Sequence, residues 1–116
     1  MNDTTIFHNP ACGTSRNVLA ALDEAGAKPA VVEYLKAGWT VAQLTDLFAR
    51  MGKAPRELLR VRGTPAEDLG LTKAGVTDAQ IIAAMVSHPI LVERPIVITD
   101  KGVALCRPAE TLRTLL

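Results

Sequence analysis

Apolar positions recur along this chain with two periods, and the changes between them mark out its elements. Residues 4–7, Thr-Thr-Ile-Phe, form a β-type run. Over residues 15–25 the period becomes helical, with Val18, Leu19, Leu22 and Ala25 on one face until Gly26 ends it. Residues 30–34, Ala-Val-Val-Glu-Tyr, read as a second, mostly apolar strand suited to a buried place parallel to the first. Two capping-box spacings follow, Thr40 with Gln43 and Thr77 with Gln80. They open helices whose apolar stripes are Leu44, Leu47, Phe48, Met51 and Ile81, Ile82, Met85. Between them, Pro55 starts a short helix through Leu59, and Thr64-Pro65-Ala66-Glu67 starts another, with Gly63 and Gly70 as punctuation. Pro95 precedes the strand Ile96-Val97-Ile98-Thr99, and Asp100-Lys101-Gly102 turns the chain into Val103-Ala104-Leu105-Cys106. A last helix from Pro108 carries Leu112, Leu115 and Leu116. The order is βαβ, a helical insertion, then ββα.

Composition sets the scale of this pattern. With 116 residues and 48% hydrophobic content, one compact domain over residues 1–116 is expected. Thirteen basic and twelve acidic side chains leave a net charge of +1, and no Lys/Arg block offers a footprint for nucleic acid or a membrane surface. Residues 1–3 lack a basic leader, and no apolar run approaches the roughly 18 residues of a membrane span, so a cytoplasmic protein is expected. Cys12 and Cys106 are the only cysteines, too few for a disulfide framework or a zinc cluster, so no metal is expected.

Cys12 carries the candidate chemistry. It lies where the first strand passes through His8-Asn9-Pro10-Ala11 into Gly13-Thr14-Ser15-Arg16 and the first helix. Unpaired backbone N–H groups at a helix start favour an anion, whether a bound oxyanion or a thiolate. A cysteine there loses its proton more readily than a free thiol. His8, four residues before it, can approach as imidazolium and lower the thiol pKa further; a purely structural histidine is the competing reading. Ser15 ranks below His8, as a helix-start hydrogen-bonder or a donor to Cys12. His88, before Pro89, reads as a cap, and Cys106 reads as core.

At this point several blocks become recognisable: residues 8–17 (His-Asn-Pro-Ala-Cys-Gly-Thr-Ser-Arg-Asn), 56–60 (Arg-Glu-Leu-Leu-Arg), 67–71 (Glu-Asp-Leu-Gly-Leu), 88–91 (His-Pro-Ile-Leu), 93–97 (Glu-Arg-Pro-Ile-Val) and 105–108 (Leu-Cys-Arg-Pro). Together they closely resemble the glutaredoxin-dependent arsenate reductases over nearly the whole chain. The resemblance and the element order both imply a thioredoxin-like α/β domain with a mixed four-stranded sheet. The resemblance further implies reduction of arsenate to arsenite with Cys12 as nucleophile, glutathione as co-substrate, glutaredoxin as protein partner and no bound cofactor in a monomer. It selects Arg60, Arg94 and Arg107 as the substrate-binding cations and makes Arg94-Pro95 the cis-proline element beside the cysteine. Arginine suits the task, since its planar fork matches an oxyanion and keeps its charge. The other five arginines, Arg16, Arg50, Arg56, Arg62 and Arg113, read as solvated surface.

Counting excludes two other chemistries. A phosphatase loop needs arginine six positions after the cysteine, where this chain has Val18. A dithiol cycle needs Cys-x-x-Cys, and the fourth position here is Ser15. Cys-Gly-Thr-Ser leaves a monothiol-glutaredoxin-like, glutathione-dependent thiol transferase as the enzyme alternative. The alternative from another class is a non-catalytic RNA polymerase-binding regulator of the same superfamily, against which Ser15 also argues.

Overall fold

The computed structural model describes residues 4–116; the leader reading of residues 1–3 lies outside them. The chain divides into two compact units, one built from the residues up to Ala37 with Arg94–Leu116, the other from Gly38–Glu93. The second unit is the helical insertion.

The first unit holds a four-stranded mixed sheet in the order β2-β1-β3-β4. Strand β1 (Thr5–His8) is central. It pairs in parallel with β2 (Ala30–Glu33), Thr5 opposite Ala30, and antiparallel with β3 (Ile96–Thr99), Ile6 opposite Val97. Strand β4 (Gly102–Leu105) returns from β3 across a two-residue Asp100-Lys101 turn, with Thr99 opposite Gly102. Gly102 therefore belongs to β4 rather than to the turn, at φ 146°, a value an L side chain rarely adopts.

Helix α1 (Gly13–Glu24) connects β1 to β2 and buries Ser15, Val18 and Leu22, spaced by three and four residues on one face. Ile6, Val18, Leu22, Ala27, Val97, Cys106, Leu112 and Leu115 make the core of this unit. Each fully buried aliphatic side chain contributes about 1.5–3 kcal/mol. The final helix is a 3-10 helix, Ala109–Leu115, whose three-residue repeat puts Leu112 and Leu115 on one side. Strand β2 departs from expectation. It is an edge strand, so Ala30 and Val31 are exposed, and Tyr34, read as its last residue, instead opens the short helix α2 (Tyr34–Ala37) and is fully buried.

In the second unit, both capping boxes form. Thr40 accepts the Gln43 N–H at 3.1 Å to open α3 (Val41–Met51), and Thr77 accepts the Gln80 N–H at 3.2 Å to open α4 (Asp78–Ser87). Gly52 closes α3 in the left-handed region at φ 67°, where the Lys53 N–H reaches back to the Phe48 carbonyl. Leu44, Leu47, Phe48, Ile81 and Met85 are buried where α3 meets α4, and Leu58 and Leu91 come from 3-10 helices at Pro55–Leu58 and Pro89–Leu91. The helix expected from Thr64 is absent. Residues 64–71 form hydrogen-bonded turns, with Leu69 N–H on Pro65 O and Leu71 N–H on Ala66 O. Among the described residues, no helix is long and apolar enough to cross a membrane.

Candidate active site

The loop between β1 and α1 is held by its own short side chains. Asn9 makes three of the bonds: its carbonyl accepts the Cys12 N–H at 3.0 Å, its Oδ1 accepts the Ala11 N–H at 3.0 Å, and its N–H donates to Ser15 Oγ at 3.1 Å. Arg16 donates from Nη1 to the Pro10 carbonyl at 2.8 Å, tying the outer side of the loop to the first helical turn. Cys12 occupies the N-cap of α1 at φ −97° and ψ 123°, and its carbonyl accepts the Arg16 N–H. The thiol thus stands where Ser, Thr, Asn or Asp usually receives the free N–H groups of a helix.

Cys12 is buried, as are His8, Asn9, Ser15 and Arg94 around it. Burial raises the thiol pKa, but the opposing effects prevail and leave it below the ordinary value. They are the Ser15 backbone N–H, the charge of Arg94, and hydrogen bonds from Arg107 and Arg94. Arg107 Nη1 lies 3.8 Å from Cys12 Sγ. One cation is therefore nearly enclosed with the thiol while the other, Arg107, reaches it from an exposed position. The Arg94-Pro95 and Arg107-Pro108 peptide bonds are both cis.

His8 departs from expectation. Its Nδ1 lies 2.6 Å from Ser15 Oγ, so the ring meets the serine, not the sulfur. Its pKa is lowered, first by burial and further by Arg16, with Glu33 opposing, which favours neutral imidazole over the expected imidazolium. A buried imidazole gains little by taking a proton where desolvation and the Arg16 charge outweigh Glu33. Ser15 outranks His8 in contact: its N–H serves the thiol and its Oγ joins His8 to Asn9. The three-residue spacing from an N-cap to the third helical N–H is the sequence signal for that role. Asn9 and Arg16 carried no such signal, because their work depends on the path of the loop.

Arg60 lies in the second unit, half-buried, its Nε donating to the Arg62 carbonyl at 3.1 Å. Cys106 is fully buried after β4, and burial pushes its thiol up to about 11. Arg56, read as free surface, holds the Lys73 and Val76 carbonyls at 3.1 Å each.

A thioredoxin-like mixed sheet that presents one activated cysteine at a helix N-terminus among arginines defines a thiol-based oxyanion enzyme. Residues 7–115 match the ArsC family model, and the chain belongs to the ArsC family. It is 56% identical over 115 residues to Arsenate reductase ArsI1 of Synechocystis sp., covering 99% of this chain and 80% of that protein. It is 46% identical to the Arsenate reductase of Escherichia coli K12, covering 100% and 82%. The solved arsenate reductase from Vibrio cholerae superposes with a TM-score of 0.94 at 34% identity, covering 99% of this chain and 98% of that one.

Proposed function

We propose that this chain reduces arsenate to arsenite, with Cys12 as nucleophile and glutathione and a dithiol glutaredoxin as the source of electrons. The observation that carries the reading is the lowered Cys12 thiol with Arg94 and Arg107 upon it. Arsenate is a tetrahedral dianion, and a thiolate attacks it only where cations offset both charges. Arg94 and Arg107 supply two of them. Arg60 enters the cradle through the family resemblance.

The Cys12 thiolate displaces one arsenate oxygen, which leaves as water after taking up two protons, and forms an S–As(V) bond. Glutathione displaces a second oxygen in the same way. The glutaredoxin thiolate then attacks the glutathione sulfur. That S–As bond breaks with its electron pair going to arsenic, giving Cys12-bound As(III) and a glutaredoxin–glutathione mixed disulfide. Water cleaves the remaining S–As bond, returning Cys12 and releasing arsenite. Since the residue three after Cys12 is a serine and Cys106 is a buried, unreactive thiol, the second sulfur comes from outside. No resident metal or cofactor takes part, and the reducing pool places the reaction in the cytoplasm.

A coupled assay with arsenate, glutathione and glutaredoxin tests the reading. Turnover is expected with all three, absent in Cys12→Ser and retained in Cys106→Ser. Arg60→Ala, Arg94→Ala and Arg107→Ala are each expected to cost at least about 1.5 kcal/mol, roughly tenfold in rate, with Arg50→Ala near wild type. Arsenite production with thioredoxin alone, or activity on a glutathione mixed disulfide with none on arsenate, would overturn it.

A further inference from the structure

The backbone N–H groups around Cys12 fall into two sets, and Asn9 divides them. Pro10 has none. Those of Ala11 and Cys12 turn back onto Asn9, one to Oδ1 and one to the carbonyl, at 3.0 Å each. Those of Gly13, Thr14 and Ser15 open α1, have no partner within the helix, and include the Ser15 N–H that serves the thiol. Asn9 also reaches into this second set, since its own N–H donates to Ser15 Oγ at 3.1 Å.

Two of the three Asn9 bonds are made by main-chain atoms that any residue carries. The bond from Ala11 to Oδ1 is the one the side chain adds. An amide oxygen that accepts the N–H two residues on closes an Asx-turn, here inside the turn that the Cys12 N–H closes on the Asn9 carbonyl. Asparagine at the first position and Pro10 at the second both favour that turn. Asn9 is only 7% exposed, so its bond is sheltered from competing water. A side chain at an N-cap reaches the third N–H of its helix only from extended backbone, and Cys12 holds φ −97° and ψ 123° directly after the doubly tied turn. Aspartate would close the same turn but set a carboxylate near the thiolate, against the arginines; the neutral amide closes it without that charge.

We propose that Asn9 is a positioning residue for the Cys12 nucleophile: its Oδ1 fixes the turn that sets the extended N-cap backbone of Cys12, and through it the sulfur's bond from the Ser15 N–H. That this nucleophile attacks arsenate rests on the proposed function, whereas the positioning can be read with no arsenate present.

Alkylation of Cys12 by iodoacetamide across pH supplies that reading. Asn9→Ala is expected to raise the midpoint by about one pH unit, because a donor to a charged sulfur is weakened. Asn9→Ser, whose hydroxyl can accept the same N–H, is expected to restore part of the shift. Thr99→Ala is the stability control: it removes a buried hydroxyl that bonds the Leu115 carbonyl and the Lys101 N–H, at the opposite end of β3 from Arg94. It is expected to lower resistance to urea and leave the Cys12 midpoint unmoved. The wild-type chain carries a measurement that needs no variant, in which the Ala11 amide is protected from hydrogen exchange and the Ser15 amide resonance titrates together with Cys12. A wild-type midpoint in Asn9→Ala, a shift as large in Asn9→Ser as in Asn9→Ala, or an unprotected Ala11 amide would overturn the positioning role and leave the arsenate reading standing. In turnover, the acid limb of kcat/KM for arsenate is expected to move with the Asn9→Ala midpoint. A shifted midpoint in Asn9→Ala beside a wild-type chain that reduces no arsenate would support the positioning and overturn the reading.

Discussion

At Cys12 two opposing effects compete for one proton, and which wins decides whether there is a nucleophile. Burial favours the thiol, while the Ser15 N–H, Arg94 and Arg107 favour the thiolate and prevail. Alkylation of Cys12 by iodoacetamide, followed by mass spectrometry from pH 5 to 9, is therefore expected to have its midpoint below about 8.5, the free-thiol value. Arg107→Ala and Arg94→Ala are each expected to move it upward, because each removes a donor and a positive charge. A wild-type midpoint at 8.5 would contradict the site. As pH falls through the lowered value the thiolate is lost, so arsenate attack slows on the acid side. Cys12 was legible in sequence because it sits at a strand-to-helix boundary, while Arg94 and Arg107 were selected from eight arginines by the family resemblance, their places beside β3 and β4 only agreeing with it. The neutral His8 was not, since its state depends on burial and on a 2.6 Å contact with Ser15 that spacing alone does not show.

Elements were legible wherever a local rule of the chain sufficed. Thr40 with Gln43 and Thr77 with Gln80 name their helices, because the reciprocal bonds of a capping box span only three residues. Asp100-Lys101 names a hairpin for the same reason. The short helix α2 gave no periodic signal, as four residues make barely one turn, and Tyr34 is equally at home in a strand until burial decides. Thr64-Pro65 imitated a helix start, yet the Thr64 hydroxyl turns back to the Arg60 and Val61 carbonyls and the chain folds as turns. The two caps are exposed and belong to the second unit, whereas the thiol belongs to the first, so they test elements without altering a residue of the thiol's own unit. Thr40→Ala and Thr77→Ala are each expected to lower unfolding free energy by about 1 kcal/mol in urea titrations, with the Cys12 alkylation midpoint unmoved. A shift of that midpoint would show that the helices tune the site.

For the molecule as a whole, the two cysteines couple protons to folding with opposite signs. The folded chain holds Cys12 below its unfolded pKa, so between those values the unfolded state binds more protons and stability rises with pH. That contribution is present above the free-thiol range and is lost as pH falls through the folded value. Cys106 is the reverse case. Burial in the core with Ile6, Val18, Val97 and Leu112 pushes its thiol up to about 11, so above about 8.5 the unfolded state sheds a proton that the folded state keeps. Stability then falls with rising pH, by up to about 1.4 kcal/mol per unit from this group. Cys106→Ala removes the proton but also empties volume in the core, a cost independent of pH. The informative quantity is consequently the change with pH in the difference between the two proteins. Urea unfolding under reducing conditions at pH 8.5 and pH 10 is expected to show the wild type's advantage shrinking over that interval. An advantage that stayed constant would mean that Cys106 titrates alike in both states, and that the sulfur is more accessible than its place under the sheet indicates.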